Sequence, residues 1–110
     1  MKAKAEIDAG VCGFKTIAVV TCDDDQHVRI DVHSGCEKVR AMAGSLKDKG
    51  PIDAFQEISP AAGSIVLGVA KEALKGCCAA CAAPVGVFKA MQVAAGLALP
   101  KDITIRLAKE

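Results

Sequence analysis

Three of the six cysteines fall in the stretch Gly76-Cys77-Cys78-Ala79-Ala80-Cys81-Ala82-Ala83-Pro84, where Cys78 and Cys81 are spaced Cys-x-x-Cys. Only small residues surround them, so nothing bulky blocks approach to the sulfurs. Pro84 suits the first turn of a helix, where a missing N–H costs no hydrogen bond. The stretch therefore predicts a loop running into a helix N-terminus, whose partial positive charge and free N–H groups favour a thiolate. Thiolates select zinc, Cu(I) and iron–sulfur clusters over hard cations. A second Cys-x-x-Cys would make a metal motif strong, and the chain has none. What matters next is whether other elements bring Cys12, Cys22 or Cys36 to this loop.

Ala3 to Ala9 alternates strictly, with Ala3, Ala5, Ile7 and Ala9 opposite Lys4, Glu6 and Asp8, which predicts a half-buried strand. Gly10-Val11-Cys12-Gly13 predicts a tight turn, Phe14–Cys22 a second strand and Asp23–Gln26 a polar turn. His27–His33 predicts a third strand with Val28, Ile30 and Val32 inward. Pairing Cys22 with His27 across the turn would put Ile17, Val19 and Thr21 on that same inward face. The face left over would carry Phe14, Ala18 and Val20, too apolar for open solvent, and so points to a protein partner or a second copy of the chain.

Ser34 and Glu37 have capping-box spacing ahead of Val39, Met42, Ala43 and Leu46, which recur at helical period. A short helix is expected over residues 51–58. Another follows from Ser59-Pro60 to about Leu74, and Gly63 and Gly68 weaken it by about 1 kcal/mol each. Pro84 to about Ala98 predicts a helix burying Val85, Phe88, Met91 and Ala95, and 102–108 predicts a closing strand with Ile103, Ile105 and Leu107 inward. The expectation is one α+β domain over residues 1–110: a small four-stranded mixed sheet in the order β-β-β-α-α-α-β, with helices on one face.

Strand direction then places the thiols. The first hairpin turn holds Cys12, and the third strand returns to that end and delivers Cys36. Cys22 lies at the other end, roughly 20–25 Å away for strands of this length. If the closing strand runs parallel to the first and third, the helix before it starts over the Cys12 end and Cys81 joins Cys12 and Cys36. If it runs antiparallel to its neighbour, Cys81 goes to the Cys22 end instead. That end also holds His27 and Asp23–Asp25, which read as a solvated turn; the aspartates lack the glycine and distal glutamate of a calcium loop.

Composition narrows the function. Fourteen Lys and Arg against thirteen Asp and Glu give a net charge of +1, which makes no electrostatic case for nucleic acid or an anionic membrane. With no Trp or Tyr the chain also lacks a base-stacking platform. The longest apolar run, near 60–70, is far short of the ~20 residues a bilayer span needs. The first residues, Met-Lys-Ala-Lys-Ala-Glu-Ile-Asp, contain no apolar leader, so a cytoplasmic setting with reduced thiols is expected. No serine–histidine–acid arrangement, phosphate-cradling loop or dinucleotide fingerprint is present.

Val11-Cys12-Gly13-Phe14, Cys36-Glu37-x-Val39 and Cys81-x-x-Pro84, with the stretch from Lys89-Ala90 through Val93–Asp102, resemble a family of small uncharacterised proteins of anaerobic bacteria and archaea. The resemblance spans the chain and is most specific in its C-terminal stretch. The family pattern matches at Cys12, Cys36 and Cys81, whereas Cys22, Cys77 and Cys78 are extra. It implies no established activity, and an anaerobic setting favours an iron–sulfur site.

The leading expectation is a metal-binding protein holding an iron–sulfur cluster or zinc through Cys12, Cys36, Cys81, Cys78 and Cys77, for electron transfer, cluster handling or structure. Adjacent Cys77 and Cys78 cannot easily direct both sulfurs at one ion. The alternatives are a thiol redox protein or enzyme using Cys36 or Cys81 as a helix-activated nucleophile, and a metal-free interaction module whose cysteines are packing.

Overall fold

The computed structural model describes residues 1–59, 61–76 and 81–110. The alternating N-terminal segments form β1 (Lys2–Asp8), β2 (Lys15–Cys22) and β3 (His27–Ser34), joined by two short turns into an antiparallel meander. Then come α1 (Glu37–Asp48), β4 (Ile52–Asp53), α2 (Ala54–Ile58), α3 (Ile65–Leu74) and α4 (Ala83–Ala94). The fold is α+β: a four-stranded sheet in the order β1-β2-β3-β4, with α1 packed on β3, α4 on β1 and β2, and α3 against both helices.

The sheet differs from the sequence expectation first in its strands. The sheet is antiparallel throughout rather than mixed, because its fourth strand is β4, which pairs Ile52 with Val28 and Asp53 with His27. Residues 101–110 form no strand, and every one of them is exposed. Their alternation is that of a strand, but a strand exists only beside a partner, and none lies beside them among the described residues.

The second difference is register. Cys22 pairs with Val28, not His27, so Val20 faces Ile30 and Ala18 faces Val32. A one-residue slip exchanges the two faces of a strand. Ala18 and Val20 therefore lie under the helices, fully buried with Val28, Val39, Met42, Leu46, Val66, Val87 and Met91. The expected outer positions of Ala18 and Val20 are thus inner ones, while Phe14 stays exposed. The open face is instead lined by Lys2, Lys4, Glu6, Asp8, Arg29, Asp31 and His33, with Ile17 as its exposed apolar residue.

The turn explains the slip. Asp24 Oδ1 accepts the backbone N–H groups of Gln26 (3.0 Å) and His27 (2.7 Å), and Asp25 sits at φ 61°. This wrapped turn carries His27 past Cys22 and leaves it to pair with β4.

The helices follow their sequence signals with shifted starts. In α1, Val39, Met42 and Leu46 fall on one buried stripe. Cutting Met42 to alanine would cost about 2–5 kcal/mol for the cavity it leaves. Helix α3 begins after Ser64, whose Oγ accepts the Leu67 N–H at 3.0 Å, rather than at Ser59-Pro60; Pro60 lies outside the described residues. Helix α4 buries Ala83, Val87, Ala90, Met91 and Ala94, leaving Val85 exposed and Phe88 partly buried. Turning the small residues inward lets α4 approach the sheet closely where Ala3, Ala5 and Ala18 offer little bulk.

Candidate thiol site

Cys12 occupies the β1–β2 turn. Asp8 accepts the Gly10 N–H through Oδ1 (3.0 Å), and the Gly13 N–H donates to the Gly10 carbonyl (2.9 Å). Gly10 and Gly13 take φ values of 92° and 73°, a region that side chains with a Cβ adopt reluctantly. The turn projects Val11 and Cys12 into solvent.

Cys36 is reached from β3, the strand that runs back to this end. Ser34 Oγ accepts both the Thr16 hydroxyl (2.9 Å) and the Cys36 N–H (3.1 Å), so the sheet edge and the start of α1 share one hydroxyl. Ser34 is thus not the N-cap; Cys36 is, and no side chain caps the helix from it. Arg40 donates to the Gly35 carbonyl at 3.0 Å and sets a guanidinium beside the Cys36 loop. The ring of Phe14 packs over Gly35, where an added Cβ would lie 3.1 Å from it. Cys36 itself is half-buried against the core.

Cys81 stands just before α4, as its spacing predicts, and its Sγ accepts the Ala83 N–H at 3.5 Å. Ile7, at the end of β1 that leads into the Cys12 turn, lies against Gly86. This contact fixes the direction of α4, whose first turn sits at the Cys12 end of the sheet. The end of α3 comes to the same place, because Lys38 in the first turn of α1 donates to the Lys75 carbonyl (3.0 Å).

Cys12, Cys36 and Cys81 therefore share one end of the molecule as free thiols. They are not drawn into a ligand set: among the described residues, no three His, Cys, Asp or Glu side chains stand close enough to hold a metal ion. Cys77 and Cys78 lie outside the described residues. Cys22 is at the far end, 1% exposed, with its thiol directed to Asp24 Oδ1 at 3.9 Å. It is a core residue and is not the cross-strand partner of His27.

That far end is polar. Asp24 Oδ2 pairs with His27 Nδ1 at 2.8 Å. The His27 backbone N–H, then its side chain, then the Gln26 N–H hold the Asp24 pKa down at about 2. Asp53, the N-cap of α2, is held below the usual carboxylate range by the Gln26 amide, with the N–H groups of Gln56 and Phe55 and the charge of His27 adding to it. These bonds account for the turn without a bound cation.

The sequence reading missed Glu57. It is 2% exposed, and its carboxylate accepts the Ser64 hydroxyl (2.7 Å) and the N–H groups of Ile65 (2.8 Å) and Val66 (2.8 Å). It closes the N-terminus of α3 and ties α2 to it. A lone glutamate beside an apolar isoleucine is its only signal in the sequence, since the donors it serves belong to a helix that starts at Ile65 rather than at Ser59-Pro60.

A model of a family of unknown function, DUF6951, matches residues 3–107. The chain belongs to this family. No curated protein and no solved structure matches it. The match takes in Cys12, Cys36 and Cys81 together with almost all of the exposed C-terminal segment. Among the described residues, no helix is long and apolar enough to cross a membrane.

Proposed function

We propose that this protein binds a thiolate-ligated metal, an iron–sulfur cluster in the first place or zinc in the second. The reading rests on one observation: Cys12, Cys36 and Cys81, from distant parts of the chain, share one end of the fold, two of them at helix N-termini. Cysteine at a buried site is often mere packing, but Cys12 is in solvent on a glycine-flanked turn, where packing gives it no reason to be a cysteine. In this reading Cys78 or Cys77 would complete the ligand set. A thiolate set of this kind suits soft metals. The setting is cytoplasmic, where thiols stay reduced.

The Ala83 N–H donated to Cys81 Sγ favours a second reading: a thiol redox protein in which Cys81 is the attacking thiolate and a neighbouring cysteine resolves it.

Metal and acid-labile sulfide analysis, with an absorption spectrum, on protein purified without oxygen or chelator decides between them. The chain has no Trp or Tyr, so its own near-ultraviolet absorption is almost nil and a cluster's bands stand alone. Iron with sulfide and a broad visible band supports the cluster, and stoichiometric zinc supports the second metal. Protein free of both overturns the metal reading and moves the question to thiol exchange.

A further inference from the structure

We infer that residues 102–108 are a strand of a dimer, laid along the free edge of β1 in a second copy of this chain. The segment alternates Ile103, Ile105 and Leu107 with Asp102, Thr104, Arg106 and Ala108, the pattern of a strand with one covered face. Yet the three apolar side chains are 54%, 72% and 93% exposed. Every residue from 99 to 110 is exposed, and the molecule measures 45 Å along its long axis against 27 and 26 Å across.

The sheet offers a matching vacancy in its pairing. β1 is an outer strand, so the backbone groups on its free edge have no neighbour among the described residues. It has the same length as 102–108. On the face under the helices, β1 carries only Ala3, Ala5 and Ile7, and its edge leaves Ala5 and Ile7 partly uncovered. A strand added there would continue the inner layer with three large aliphatic side chains, a form of strand addition in which backbone bonds give affinity and alternate side chains give fit.

Charge selects the direction. With the segment parallel to β1 and Ile103 level with Ala3, Asp102 lies beside Lys2 and Arg106 beside Glu6. Reversed, Asp102 falls beside Asp8 and Arg106 beside Lys4, pairing like charges. Each copy gives one segment and receives one, which closes the assembly as a two-fold dimer. This interface is the sheet edge, not the sheet face, and does not depend on any metal.

Light scattering on the full chain under reducing conditions tests it. The expected mass is twice the 11.3 kDa of the chain. A variant ending at Pro100 is expected to keep its far-ultraviolet circular dichroism and run as a monomer. Glu6→Arg and Arg106→Glu, each at an exposed site, are expected to weaken the dimer about tenfold apiece, and together to restore it. A full chain that stays monomeric overturns the proposal. So do slow amide exchange over 103–107 in such a monomer, which would mean the segment folds onto its own β1, and a dimer that survives loss of 101–110.

Discussion

The side chain of Ile7 occupies the space that a Cβ at residue 86 would need. This one fit sets how closely α4 lies on β1, and so where Cys81 stands relative to the Cys12 turn. Alanine usually gains roughly 0.5–1 kcal/mol over glycine inside a helix. Here Ile7 would have to leave its position, and a β-branched side chain has few rotamers to move to. Overpacking of this kind costs about 1–3 kcal/mol, so Gly86→Ala is expected to lower the urea midpoint despite the better helix former. A higher midpoint would mean that α4 rides further from the sheet.

Glu57→Ala is expected to cost about 1–3 kcal/mol, because it strips the partner from the buried Val66 N–H as well as from Ile65 and the Ser64 hydroxyl. Glu57→Gln keeps an acceptor oxygen and should lose less. Urea titration of the two variants checks the order. Hydrogen exchange should locate the loss in the first turn of α3.

Acid should weaken the β2–β3 turn. The Asp24 pKa is depressed to about 2 in the folded chain, so the stabilisation is present above the ordinary carboxylate value and is lost as pH falls from about 4 towards 2. Asp24→Asn should lower stability at neutral pH and flatten that acid limb. Denaturation midpoints of both proteins across this range measure it, and identical slopes would contradict the assignment.

Serine substitutions separate the thiols by role. Cys22→Ser places a hydroxyl in the core, where the residue is 1% exposed, and is expected to cost about 1–3 kcal/mol with no change in bound metal. Cys12→Ser, on an exposed turn, should leave stability within about 0.5 kcal/mol and abolish metal binding. Stability curves paired with metal analysis read both effects. Retained metal in Cys12→Ser would remove that residue from the ligand set.

Alkylation under native conditions should label Cys12 before the half-buried Cys36 and Cys81, and Cys22 only on unfolding. Mass spectrometry of timed aliquots gives the order. Early labelling of Cys22 would mean that the end of β2 opens locally.

The first three strands and α1 were legible in their residue patterns, whereas β4 gave no signal and the alternation of 102–108 pointed to a strand that the chain does not form. Alternation located β1 and β3 and β-branched content located β2, each nearly to the residue, and the i, i+3, i+7 stripe of Val39, Met42 and Leu46 located α1. Which face of β2 is covered was not legible: Ala18 and Val20 on one face and Ile17 and Val19 on the other are all apolar, and the choice lies in how Asp24 wraps its turn. The rotation of α4 was hidden for a related reason. Val85 and Phe88 are better hydrophobes than Ala83, Ala90 and Ala94, yet it is the three alanines, with Val87 and Met91, that α4 turns inward. The common end of Cys12 and Cys36 follows from counting strands. That of Cys81 needed the direction of α4, a contact between opposite ends of the chain.

The same arrangement orders events during folding. The meander from β1 to β3 pairs neighbours along the chain, so the end that carries Cys12 and Cys36 can form from local contacts. Cys81 arrives only with α4, whose docking on β1 closes a loop across most of the chain. Three thiols at one pole are therefore the mark of a finished fold. A nascent or half-opened chain exposes them separately, and a soft metal that bridges them would bind the completed protein in preference to its precursors.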